Sequence, residues 1–178
     1  MPTAKLGEVQ RALASLPVGL FVLTAQHEGK RAGVVVRSVQ PCSDEPPLLC
    51  VAVRRGHWIE PLIRDSHTFA VCKIHTIDKL LLRKFSDSSR PRDGDPFDCM
   101  PTMRLVTGAP VITRASVSLD CEVVRHFDLE ADHELYVGHV VAARFGPPEG
   151  AEPVAPLFDG APPPPKKKSA PAKPGSAS

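Results

Sequence analysis

Arg37, Arg54, Arg55 and His57 are the residues whose types and spacing best suit chemistry. Arg37 interrupts the apolar run GVVVRSVQ (33–40), and the other three close the run PLLCVAVRRGH (47–57). A guanidinium can donate two parallel hydrogen bonds to a phosphate through its planar fork. The turn RRGHW also offers backbone N–H groups at a helix start, a natural place for an anion. Arg54 and Arg55 are equally well read as a solvated strand end. Arg37 is harder to dismiss, because Val34, Val35, Val36 and Val39 surround it. A charge among them must be paired, ligand-bound or on an exposed edge. If the two runs pair as strands, several of these cations converge near one end of the sheet.

Other chemistries have less support. There is no G-x-S-x-G, and no cysteine stands beside a plausible base in sequence. The seven histidines are scattered. His133 and His139, on one strand, would stand about 20 Å apart at about 3.3 Å per residue. The five cysteines form no C-x-x-C pair, so no metal site is expected. They read as reduced, structural thiols of a cytoplasmic protein. A net charge of +2 gives no reason to expect nucleic acid as a partner. No signal peptide and no membrane span are expected, since no apolar stretch reaches the necessary length.

The elements that must position the cations follow from periodicity and punctuation. A short helix is expected at Lys5–Ser15, stopped by Pro17, then a strand at Val18–Ala25. QHEGKR is a turn, with Gly29 suited to a hairpin. The runs Ala32–Gln40 and Pro47–Arg54 are nearly continuously apolar, as strands buried on both faces are. A helix over His57–Ser66, a strand over Thr68–Ile74 and a second helix with Ile77, Leu80, Leu81 and Phe85 on one face come next. SDSSRPRDGDPFDCMPT is a long polar loop. In SVSLDCEVVRHF, Val117, Leu119, Cys121 and Val123 alternate with polar residues, the pattern of a half-buried antiparallel strand. His133–Phe145 is its partner, with Gly138 marking a bulge or a close backbone approach. Ten of the 20 prolines lie beyond Phe145. The domain is therefore expected to span 1–158, followed by a disordered Pro/Lys-rich tail over 159–178. This is a mostly-β domain, most economically a small β-barrel with short helices covering its ends. A doubly wound nucleotide fold fits worse, as no G-x-G-x-x-G follows a strand.

Taken in order, these segments resemble the flavin reductase-like, FMN-binding split-barrel family. That family shows a G-V-x-V-V/L-T strand, a G-M-T-x-S-S/W strand, a D/E-P-P turn with its strand, a basic or polar turn, and an F-x-V-N strand. Gly19–Thr24, Gly33–Ser38, Glu45–Leu49, Arg54–His57 and Phe69–Cys72 occupy those places. ADHELYVGHV is similar to the family's closing G-D-H motif, matched at Asp132, His133, Leu135, Tyr136, Val137, Gly138 and Val140. The likeness spans about Leu13 to Phe145. It implies a six-stranded Greek-key split barrel, a homodimer, and FMN (FAD as the alternative) held by Val34, Val35, Val36, Arg37, Ser38, Arg54, Arg55 and His57. It implies NADH or NADPH as hydride donor, with His133 on the nicotinamide side. The implied function is an FMN-binding oxidoreductase of the flavin reductase type. The alternative is a non-catalytic flavin- or ligand-binding barrel that has lost the nicotinamide step. The departures bear on this choice: Val35 stands for a Thr, Arg37 for a Ser, Cys72 for an Asn and Ala131 for a Gly.

Overall fold

The computed structural model describes residues 6–86 and 94–147. The tail expected over 159–178, and the last part of the expected domain, lie outside them. Helix α1 (Leu6–Ala14) precedes strands β1 (Phe21–His27), β2 (Lys30–Val36), β3 (Val39–Asp44) and β4 (Pro47–Arg54). Helix α2 (Glu60–Ser66), strand β5 (Thr68–Lys73) and helix α3 (Lys79–Lys84) come next. A ribbon of β6 (Thr102–Arg104) and β7 (Pro110–Ile112) leads to the long hairpin β8 (Val117–Asp128) and β9 (His133–Phe145).

Local chemistry accounts for the joints. Glu28 and Gly29 both take positive φ, 47° and 79°, in a two-residue hairpin loop closed by His27 opposite Lys30. The twist of such a turn matches that of its strands. Pro61 stands in the first turn of α2, where its missing N–H costs nothing. His67 ends that helix in the left-handed conformation and donates to the Ile63 carbonyl. Asp78 caps α3 by accepting from the Leu81 N–H at 3.2 Å.

Seven strands form one antiparallel sheet in the order β2-β1-β5-β8-β9-β4-β3. The expected six-stranded Greek-key split barrel is thus corrected in its strand number: the sheet of the described residues has seven strands, and no ladder joins the outer two. The reason lies at Arg37–Ser38. The run expected as one strand, Ala32–Gln40, breaks there into β2, which pairs with β1, and β3, which pairs with β4. The two edges of the sheet are therefore consecutive in the chain. Laid flat, seven strands would hold their edges about 29 Å apart, whereas Val36 and Val39 can be at most about 11 Å apart. The sheet must curl enough to bring the end of β2 and the start of β3 together.

Curling divides the apolar residues into two cores. One fills the inside, with Leu23, Val34, Val36, Val51, Val53, Phe69 and Tyr136 and a lid of Ile59, Leu62 and Ile63 from the α2 segment. The other covers the outer face of β1 and β5, where Val22, Ala70 and Cys72 pack beneath Leu81, Phe85, Phe97, Val111 and Ile112. Burial on both faces explains the unbroken apolar runs. Two expectations change. Ile77 and Leu80 are each 74% exposed, so only Leu81 and Phe85 of the expected helix face are buried. The polar side of β8 is only partly solvated: Glu122 is exposed, but Ser118 and Asp120 are fully buried, because the second core lies over them. Asp120 accepts from the N–H groups of Val106 and Thr107, both at 2.8 Å, and from the Thr107 hydroxyl at 2.5 Å.

Candidate functional site

Phe21, at the start of β1, pairs on one side with Val36 and on the other with Lys73. The segments leaving β2 and β5 therefore emerge next to one another. Arg37 comes from the first; Lys73, Ile74 and His75 come from the second. Ile74 extends the pairing by donating to the Leu20 carbonyl at 3.1 Å. Between them opens a cleft of about 850 Å³, with Arg37, Lys73 and His75 as its basic lining and Leu20, Val35 and Leu82 among its apolar lining. Val35 is held there by its N–H, which donates to the Phe85 carbonyl at 2.7 Å.

Two of its polar groups, on Arg37 and His75, differ from the rest in their partners. Nε2 of His75 is buried and has no hydrogen-bond partner among the described residues, a costly state unless something fills it. Arg37 is exposed, and none of the ion pairs among the described residues engages it. A second cleft of about 540 Å³ lies at the far end of β1, near Trp58. There the cation is already matched: Arg31 is paired with Asp95 and lies over the Phe97 ring at 5.3 Å.

The structure does not gather all the sequence-derived candidates in one place. Val34 and Val36 point into the inner core, and Val35 points the other way, into the cleft. Ser38 is exposed, and its carbonyl accepts from the Ala52 N–H at 3.2 Å, two residues before Arg54. Arg54, Arg55 and His133 meet instead at the turn end of the β8–β9 hairpin, where Arg54 is opposite His133. The Arg55 N–H donates to the Asp132 carbonyl at 2.9 Å. Its guanidinium pairs with Asp128 and, at 3.5 Å, with Glu134. Glu134 is itself buried and takes hydrogen bonds from the Tyr136 hydroxyl (3.2 Å) and from His126 (2.9 Å), whose ring stacks on Tyr136. Burial, with the Glu134 charge beside it, holds the Tyr136 phenol well above its usual range. The Glu130 N–H, then Arg55, holds Asp128 below the usual carboxylate value. A hydrogen bond from His133, 3.0 Å away, does the same for Asp132.

The N–H groups of the basic turn already have protein partners. Gly56 donates to the Glu60 carboxylate at 2.7 Å, and Ile59 donates to Nδ1 of the buried His57 at 3.2 Å. Lys73 and His75 were not visible as site residues in the sequence. The available signal was the pair of basic residues closing the apolar run TFAVCKIH (68–75). Cys72, standing where the family motif has Asn, is buried in the outer core and accepts from the Ile112 N–H at 3.5 Å. No group of three or more His, Cys, Asp or Glu among the described residues is arranged to hold a metal ion.

Residues 13–161 match the flavin reductase like domain. The chain is 30% identical over 141 residues to an NADPH-flavin oxidoreductase of Streptomyces viridifaciens, covering 79% of this chain and 73% of that protein. It is 28% identical over 137 residues to an FMN reductase (NADH) of Pantoea ananatis, covering 77% and 70%. The fold superposes with a TM-score of 0.69 and 26% identity on an NADH:FAD oxidoreductase of Streptomyces globisporus in complex with NAD and FAD fragments, covering 80% of this chain and 87% of that one.

Proposed function

The chain belongs to the flavin reductase-like domain family, and from that premise we propose that it transfers hydride from NADH or NADPH to a flavin held in the Arg37 cleft. The observation that carries the assignment is the donor set of that cleft: Arg37, Lys73 and His75 around an apolar wall. An isoalloxazine ring needs such a wall, and a flavin phosphate needs such cations. The buried Nε2 of His75 is the orphaned polar atom that a ligand would satisfy. The residues therefore fit FMN, with FAD as the longer alternative. Arg37 and Lys73 hold the phosphate, His75 holds a polar edge, and Leu20, Val35 and Leu82 exclude water. When bound, the flavin supplies the hydride acceptor and the route for electrons onward.

Arg54 and His133, opposite one another on β4 and β9, are assigned to the nicotinamide side. Arg55 and His57 support them by fixing the turn. The sheet, with its edges brought together at Arg37–Ser38, is read as a split barrel. The protein is read as a cytoplasmic homodimer; the exposed apolar stripe Leu6, Val9 and Leu13 along α1 supports a second copy. No helix among the described residues is long and apolar enough to cross a membrane.

Titration of the purified protein with FMN and riboflavin tests the site. FMN is expected to bind with a Kd below about 10 μM. Arg37→Ala should weaken FMN about tenfold or more, the loss of one charge-assisted hydrogen bond of about 1.5–3 kcal/mol, and leave riboflavin nearly unchanged. Equal loss for both flavins, or none for either, rejects the phosphate role. A second reading is favoured by one observation: Cys72, standing where the F-x-V-N motif has a polar Asn, is buried in the outer core and offers no polar group to a ligand. Tight FMN binding with no oxidation of NADH or NADPH would select the non-catalytic barrel.

A further inference from the structure

Cys42 and Cys50 stand on adjoining strands at the outer face of the sheet. Alternation along β4 buries Leu49, Val51 and Val53 and leaves Leu48, Cys50 and Ala52 half-buried on the outside. On β3, Gln40 is opposite Cys50 and Pro41 is opposite Leu49, but the next partners are Ser43 and Leu48. Cys42 is therefore the extra residue of a bulge, released from the regular alternation. Cys42 thereby stands two residues from Gln40, the cross-strand partner of Cys50, and its thiol is a neighbour that acts on the Cys50 thiol. Of the other cysteines, Cys72 and Cys121 are buried, and burial pushes the Cys121 thiol up to about 12, far from reactivity. Cys42 is exposed and Cys50 partly so.

We propose that Cys42 and Cys50 are a redox-active pair that closes reversibly into a disulfide under a peroxide oxidant. The Cys42 thiolate attacks the peroxide O–O bond, forming a sulfenic acid and releasing one water once the leaving hydroxide is protonated. The Cys50 sulfur then displaces the sulfenic hydroxyl as a second water, and the S–S bond forms. The two thiols lose two electrons and two protons, and hydrogen peroxide takes them up. The exposed Cys42 thiol meets the peroxide first, and the half-buried Cys50 on the adjoining strand resolves it. The bond ties β3 to β4 beyond the Glu45–Pro46 turn, on the strand that continues from Arg37–Ser38. The inference stands apart from the flavin reading.

The test exposes the reduced full chain to hydrogen peroxide, alkylates it, and maps peptides without reductant. A Cys42–Cys50 crosslink is expected. Two of the five thiols should be lost to titration in denaturant and return fully with dithiothreitol. Cys42→Ser, with an unchanged circular dichroism spectrum, should form no intramolecular crosslink. A crosslink through Cys99, disulfides only between chains, irreversible oxidation at Cys42, or no loss of thiols would each overturn the proposal.

Discussion

Arg37 sits where one strand hands over from one partner to another. That position explains how an arginine survives in a valine-rich run. Its neighbours Val34 and Val36 face the inner core, while Arg37 itself falls in the two-residue break and is exposed. The cation is then free to serve a ligand in the adjoining cleft. Arg55 illustrates the opposite outcome. Two residues of similar promise in sequence differ because Asp128 and Glu134 reach Arg55 from the next hairpin, and none of the described carboxylates pairs with Arg37. His133 belongs with Asp132, whose carboxylate it orients at 3.0 Å. On the nicotinamide assignment, His133→Ala should raise KM for NADH or NADPH severalfold while FMN affinity stays unchanged. A fall in FMN affinity with an unaltered KM would move His133 to the flavin side.

At the scale of elements, the tightest glycine inside a strand is Gly138 on β9. A Cβ there would come 2.5 Å from the Phe69 ring and 2.9 Å from the Cys121 Cβ. Gly138→Ala must push strands β5, β8 and β9 apart, and overpacking of this kind costs about 1–3 kcal/mol. Urea unfolding should show a lower midpoint with an unchanged slope; an unchanged midpoint would mean that the strands yield freely. Gly138 could be read from the sequence as a bulge or a close backbone approach, and its contacts with Phe69 and Cys121 are those of the second. The β1–β2 turn, the helix stop at His67 and the β8–β9 hairpin were legible for similar local reasons. Asp120 was not. Strict alternation marks one face as solvated, and only the second core, assembled from residues distant in sequence, reverses that. The break at Arg37–Ser38 was hidden by the same limit, since a change of partner leaves hydrophobicity untouched. Lys73 and His75 became site residues only once β1 was seen to lie between β2 and β5.

For the whole molecule, the curled sheet does two things. It creates an inner core that holds the domain together, and it brings the ends of β2 and β5 into the cleft wall. Helix α1 takes no part in either core: it has no buried residue, and Leu6 and Leu13 are 73% and 60% exposed. Burying that stripe against a second copy predicts a dimer by light scattering. A mass of one chain at micromolar concentration would reject the dimer. Hydride transfer is the central claim, and it needs no acid or base from the protein. The most direct test mixes the full chain, loaded with FMN, with NADH or NADPH under strict exclusion of oxygen and follows the flavin absorbance. The account predicts bleaching of the oxidised flavin band in step with nicotinamide oxidation, at a rate well above that of free FMN with the same donor. A flavin band that stays unchanged with both donors, on protein shown to hold FMN, would contradict it.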